Sequence, residues 1–198
     1  MSDFPDSVNL KGISIYLVGM MGAGKSTVGR ILAERMGYRF FDTDTLIEQA
    51  TRQTVAEIFA SSGEANFRQL ETQVLSQLSA YQRLVVATGG GIVLSAKNWS
   101  YLHYGVVAWL DAPADVLYAR LEDDASRPLL HTSEPRATLQ AILEARSPLY
   151  SEADVRVPIT DIASPEAIAT QVLEEIQAIL KPDVLPPHAA DPSVAQQN

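Results

Sequence analysis

The 198-residue chain has no cysteine, which excludes disulfides and thiol chemistry. It also lacks any apolar run near the ~20 residues needed to cross a bilayer. Basic residues are scarce, since 15 Lys and Arg against 24 Asp and Glu leave a net charge of -9. A broad basic surface for nucleic acid is therefore missing, and any anionic ligand must be met by a local cluster. His103, His131 and His188 have no partners at metal-ligand spacing, so a zinc site is not indicated. The opening residues MSDFPD carry acid where a signal or transit peptide carries Lys or Arg. A soluble, cytoplasmic protein with no nucleic-acid or membrane partner is expected.

Against these absences stands one strong motif. Residues 19–27, GMMGAGKST, fit the phosphate-loop template G-x-x-x-x-G-K-[ST] and directly follow an apolar run, 13–18. Glycines at 19, 22 and 24 allow tight turning, so that successive N–H groups face phosphate oxygens, and a helix from Lys25 adds its positive end. Gly22, Ala23, Gly24, Lys25, Ser26 and Thr27 are the predicted nucleotide-phosphate contacts. Lys25 reaches toward the β- and γ-phosphates, and the Ser26 hydroxyl is a magnesium ligand. The alternative is a glycine-rich turn with no ligand.

Length and apolar content suit one α/β domain. Candidate strands cover 13–18, 38–41, 83–87, 106–110 and 155–159, and candidate helices begin near Lys25, Thr45, Asn66, Ala114, Pro135 and Pro165. This alternation predicts a parallel sheet covered by helices. Ser164, Pro165 and Glu166 form a good helix start, followed by Ile168, Val172, Ile176 and Ile179 at helical spacing. Trp99 reads as a helix residue and Trp109 as a strand residue, both packing. The chain divides into a flexible extension, 1–10, a domain, 11–181, and a proline-rich tail, 182–198, expected to be disordered.

Three further patterns carry chemistry. Asp42-Thr43-Asp44 ends the second strand, and residues two apart on a strand share a face, so both carboxylates are expected at the ligand-binding edge of the sheet. One suits magnesium waters and the other accepts a proton from an attacking hydroxyl. Either alone also reads as the cap of the helix beginning at Thr45. Gly89-Gly90-Gly91 follows the third strand and lets backbone amides approach a ligand, although a simple turn explains it equally well. Arg68, Arg120, Arg127 and Arg146 are expected on loops and helix starts, as anion clamps or as surface charges. The polar stretch 122–136 is long enough to be a mobile cover that brings Arg127 to a transferring phosphate.

Taken in order, GMMGAGKSTVGR, FFDTDTLIE, GEANFRQLE, ATGGGIVLS, SRPLL and ARSPLY resemble the shikimate kinase family from Gly19 to about Pro165. The resemblance implies a three-layer α/β phosphate-loop kinase fold, a five-stranded parallel sheet in order 2-3-1-4-5, and a mobile lid, approximately 120–136. It implies ATP and Mg2+ as cofactors, shikimate as the small-molecule partner, and a monomer. Lys25 and Ser26 take the phosphates and metal, Asp42 assists the metal through water, and Asp44 activates the 3-hydroxyl. Arg68 and Arg146 grip the shikimate carboxylate, amides of Gly89, Gly90 and Gly91 hold ring polar groups, and Phe59 and Phe67 line one side. Arg127 meets the phosphates, while Arg120 and the loop ending at Pro165 serve the adenine side. The segment between Arg120 and Arg127, LEDDAS, is acidic and has no glycine.

The reading is transfer of phosphate from ATP to shikimate, on the route to chorismate and aromatic amino acids. A gluconate or other small-metabolite kinase shares the phosphate loop, and a non-catalytic binding module shares the fold. The paired Arg68 and Arg146 with the three glycines favour shikimate over the first. The presence of Lys25, Asp44 and both clamp arginines disfavours the second.

Overall fold

In the computed structural model, which describes residues 10–121, 134–160 and 162–180, five short strands form one all-parallel sheet in the order β2-β3-β1-β4-β5. The strands are β1 (Ile15–Val18), β2 (Arg39–Asp42), β3 (Leu84–Ala87), β4 (Val106–Asp111) and β5 (Val155–Pro158). Register is set by pairs such as Ile15 with Val85 and with Val106. Strands β1 and β3 are buried at every position, as parallel strands covered on both faces must be. The edges differ: β2 is exposed or half-buried throughout, whereas β5 alternates buried and exposed. Pro158 is tolerated on β5 because an edge strand can spare a ladder donor.

Seven helices are described: α1 (Lys25–Met36), α2 (Thr43–Thr51), α3 (Val55–Leu78), α4 (Ala96–Leu102), α5 (Ala114–Leu121), α6 (Pro135–Tyr150) and α7 (Pro165–Ile179). A short 3-10 turn, Ile92–Leu94, precedes α4. The main core runs through Ile15, Leu17, Val86, Val107, Leu110 and Val172. A smaller cluster of Ile47, Ile58 and Phe67 packs α2 against α3. Helix α7 starts as anticipated, with Ser164 Oγ accepting from the Ala167 amide and Pro165 in the first turn. Ile168, Val172 and Ile176 are buried, but Ile179, at the last turn, is exposed. Among the described residues no helix is long and apolar enough to cross a membrane.

Two elements depart from the sequence expectation. Helix α3 starts at Val55, eleven residues before Asn66, because Thr54 and Glu57 form a capping box: the Glu57 amide donates to Thr54 Oγ1 and the Thr54 amide to Glu57 Oε2. The Thr54 amide and the Thr54 hydroxyl, both donating to Glu57 Oε2, hold the Glu57 carboxyl below its ordinary range. Gly63 then breaks the helix with φ 78° and ψ 169°, which hides the first half from a periodicity reading. Helix α4 was not among the expected helix starts, although it carries Trp99. It is only seven residues long, held by buried Asn98, which donates to the Ile92 carbonyl and accepts from Thr72 on α3.

Candidate active site

The phosphate loop joins β1 to α1 and is shaped by positive φ at Gly19 (137°), Gly22 (80°) and Gly24 (93°). Gly24 caps α1 with left-handed backbone and no side-chain hydrogen bond, and the first turn holds no acidic residue. Helices α2, α3 and α7 receive a side-chain cap, from Asp42, Thr54 and Ser164, whereas α1, like α4 and α6, does not. The α1 terminus therefore keeps its amides directed at the loop, the arrangement that binds an anion. Lys25 is 8% exposed and donates to the carbonyls of Gly19 and Met20, each at 2.8 Å. Its ammonium thus sits at the mouth of the loop.

An open cleft of about 820 Å³ extends from this loop. It is lined by Gly22, Gly24, Lys25, Ser26 and Thr27, by Asp42 and Asp44, and by Arg120, Ala163 and Pro165. The volume suits a nucleotide-sized ligand. Ala23 is buried and its amide bonds the Met20 carbonyl, so it supports the loop rather than facing the cleft. Arg120 Nη1 donates to the Gly22 carbonyl at 3.2 Å, tying α5 to the loop. Arg127 lies outside the described residues, as does most of the anticipated lid.

Asp42 and Asp44 reach this cleft by a different route from the one expected. Helix α2 begins at Thr43, so Asp44 is in its first turn and not on the strand. Asp42 takes the capping role weighed for it and also reaches the phosphate loop. Its Oδ1 caps α2 by accepting from the amides of Asp44 (3.0 Å) and Thr45 (3.3 Å). Its Oδ2 accepts from the Ser26 hydroxyl at 2.5 Å. A hydroxyl and a carboxylate oxygen converging beside a phosphate loop are hard donors of the type Mg2+ selects. Among the described residues no group of three His, Cys, Asp or Glu side chains is placed to cage a metal.

A second pocket opens beside the first. Phe59, Phe67, Arg68, Gly89, Gly90, Gly91 and Arg146 all line it, together with Asp44, Met21, Val55 and Glu71. Sequence reasoning put the arginines on loops and helix starts, but Arg68 is within α3, Arg120 in the last turn of α5 and Arg146 near the end of α6. Helices hold a guanidinium more rigidly than loops do, which suits a clamp. Phe59 and Phe67 meet with ring centroids 4.9 Å apart across the Gly63 break. Arg146 is 7% exposed and donates to the Gly90 carbonyl at 3.1 Å. Arg68 bonds Glu71 Oε2 at 2.5 Å and Glu64 Oε1 at 2.8 Å.

The volume of this pocket is about 60 Å³. The Arg68 guanidinium lies against Gly91 where a Cβ would stand, and of its two ion pairs the one to Glu64, whose side chain is half exposed, is the weaker. Of the three glycine amides expected to bind a ligand, that of Gly89 already donates to Thr43 Oγ1 at 2.9 Å. Gly89 instead supplies space, since a Cβ there would collide with Glu71 Oε1 and Asp44 Oδ1.

Glu71 is the principal residue that sequence reasoning left without a role. It is fully buried, and burial pushes its carboxyl up to about 7, against the opposing pull of Arg68 and with help from the Asp44 charge. Oε1 has no hydrogen-bond partner among the described residues. Arg68 is itself held above its usual range. Burial disfavours its charge, and the two carboxylates of Glu71 and Glu64 outweigh that cost. The i,i+3 spacing of Arg68 and Glu71 was a legible sign of the pair, but its burial was not.

The shikimate kinase family model matches residues 21–177. A shikimate kinase from Nostoc sp. is 54% identical over 172 residues, covering 87% of this chain and 95% of its own. A shikimate kinase from Acinetobacter baumannii, solved in complex with shikimate, superposes with a TM-score of 0.81 at 41% identity, over 84% of this chain and 93% of that one. A gluconokinase from Sinorhizobium meliloti superposes at 0.57 with 22% identity, over 84% of this chain and 94% of that one, a likeness that shows the fold alone. With its phosphate loop, paired arginines and glycine turn assembled around two adjoining cavities, the chain belongs to the shikimate kinase family.

Proposed function

We propose that the chain phosphorylates shikimate at its 3-hydroxyl with ATP, yielding shikimate 3-phosphate and ADP in the cytoplasm. The observation that carries this reading is the junction of the two cavities: Asp44 and Gly90 line both. A hydroxyl held in the smaller pocket would meet a γ-phosphate held in the larger one beside a carboxylate.

Arg68 and Arg146 supply cationic hydrogen-bond donors for the single carboxylate of the acceptor, and Phe59 with Phe67 gives an apolar face for its ring. With the ring fixed by its carboxylate, one of its hydroxyls is directed at the junction. Asp44 accepts the proton of that hydroxyl as its oxygen bonds to the γ-phosphorus and the bond from phosphorus to the bridging oxygen of ADP breaks. Lys25 and the uncapped α1 amides stabilise the charge that shifts onto the phosphates. Mg2+, held by Ser26 with Asp42 acting through water, would add neutralising charge. Arg120 and Pro165 serve the adenine end, and Arg127 is assigned to the phosphates on its SRPLL motif. Both half-sites are lined by residues of one chain.

The test is ADP release from ATP and Mg2+ with shikimate, with gluconate, and with no acceptor. Turnover with shikimate alone is expected, falling at least a hundredfold in Lys25→Ala. Equal turnover with gluconate, or none in folded, ATP-binding protein, would overturn the reading.

A further inference from the structure

The turn 89–91 is the wall between the two cavities, and two buried hydroxyls that face neither ligand hold it. Thr43 is fully buried and its Oγ1 accepts from the Gly89 amide at 2.9 Å. Tyr150, equally buried, donates its hydroxyl to the Gly90 carbonyl at 2.5 Å. The same carbonyl accepts from Arg146, one helical turn earlier on α6, so a single helix face carries both of its donors. The turn's own bonds, from the Ile92 amide to the Gly89 carbonyl and from the Leu94 amide to the Gly91 carbonyl, shape it without anchoring it to the sheet.

Across the turn lies the phosphate loop. A Cβ on Gly90 would stand 3.3 Å from the Met21 nitrogen and 3.5 Å from the Gly19 carbonyl oxygen. The glycine turn is thus packed on the loop that holds the donor, bonded to the first residue of the helix that carries Asp44, and bonded to the helix that carries Arg146. Its depth fixes the distance from the acceptor to both reaction partners. We propose that Thr43 and Tyr150 are positioning residues for acceptor phosphorylation, their hydroxyls setting the turn 89–91 where the ring held by Arg146 meets Asp44. This rests on the shikimate reading above. A displacement of about 1 Å in such a site costs up to about a hundredfold in rate.

Thr43→Val keeps the shape and removes the hydroxyl, Thr43→Ser keeps the hydroxyl, and Tyr150→Phe removes one oxygen while leaving the ring stacked on Trp109, 5.8 Å away. The measurements are kcat and KM for shikimate, ATP affinity by titration, and thermal midpoint. Thr43→Val and Tyr150→Phe are expected to lower kcat/KM for shikimate about tenfold or more, with ATP affinity within twofold of wild type. Thr43→Ser is expected to remain within threefold. Folded variants with wild-type kcat/KM, or Thr43→Ser as impaired as Thr43→Val, overturn the inference, as does a parallel loss of ATP affinity. If Thr43→Val does not fold, Tyr150→Phe decides by the same criteria. A wild-type chain inert toward shikimate would overturn the functional reading and this inference together, whereas active wild type with unaffected variants overturns the inference alone.

Discussion

Replacing Glu71 with Gln removes a carboxyl that the fold holds at 0% exposure and pushes from 4.5 up to about 7. Between those values the unfolded chain has already released the Glu71 proton while the native protein still binds it. Stability therefore falls as pH rises through this window, and the loss is complete above about pH 7. At about 1.4 kcal/mol per pH decade, the difference between about 7 and 4.5 corresponds to about 3 kcal/mol. Gln has no proton to release, so its contribution does not vary with pH. The assay is urea unfolding of wild type and Glu71→Gln without ligands at several values from pH 4.5 to 7.5. The stability of the variant relative to wild type is expected to shift by about 3 kcal/mol in the variant's favour across the series. A relative stability that stays constant, or moves the other way, would refute the argument that burial dominates over Arg68.

Two other substitutions test separate parts of the site. Gly91→Ala places a methyl group where the Arg68 guanidinium now lies, and the flexible arginine yields before the backbone does. The expected result is a shikimate KM raised roughly tenfold or more with ATP affinity unchanged, since charged hydrogen bonds of this kind contribute about 1.5–3 kcal/mol; an unaltered KM would remove Arg68 from the clamp. Gly63→Ala meets no atom within 4 Å, so its whole cost is backbone strain at φ 78° and ψ 169°. That strain is about 1–3 kcal/mol, and the thermal midpoint should fall by roughly 2–10 °C; an unchanged midpoint would mean that the break in α3 is not needed.

The parts of this site that follow from local chemistry were legible in the chain. The phosphate loop declares itself by glycine spacing, and β1, β3 and β4 by short apolar runs that a doubly covered sheet requires. The parts that depend on long-range packing were not. Asp42 and Asp44 were read as two teeth of one strand, whereas the capping of α2 by Asp42 turns the chain into a helix between them. Gly89 was read as an amide donor, but the Thr43 hydroxyl 46 residues earlier claims that amide. Glu71 carried no reading of its own in the sequence, because its burial follows only from the fold that brings Gly89 against it. The first half of α3 was lost to the glycine inside it, although its Thr54 and Glu57 box was present in the sequence.

The strand order also partitions the labour of this kinase. The phosphate loop springs from β1, at the centre of the sheet with a ladder on either side, while Asp42 ends β2, an edge strand with one neighbour, and Asp44 and the helix bearing Arg68 follow it. Remodelling the rim disturbs one ladder, whereas remodelling the centre disturbs two and the core with them. The part of the proposed acceptor site carried by α2 and α3 therefore sits on a rim that can be rebuilt at smaller cost to folding, whereas the glycine turn 89–91, which follows a strand paired on both sides, is as deeply founded as the phosphate loop.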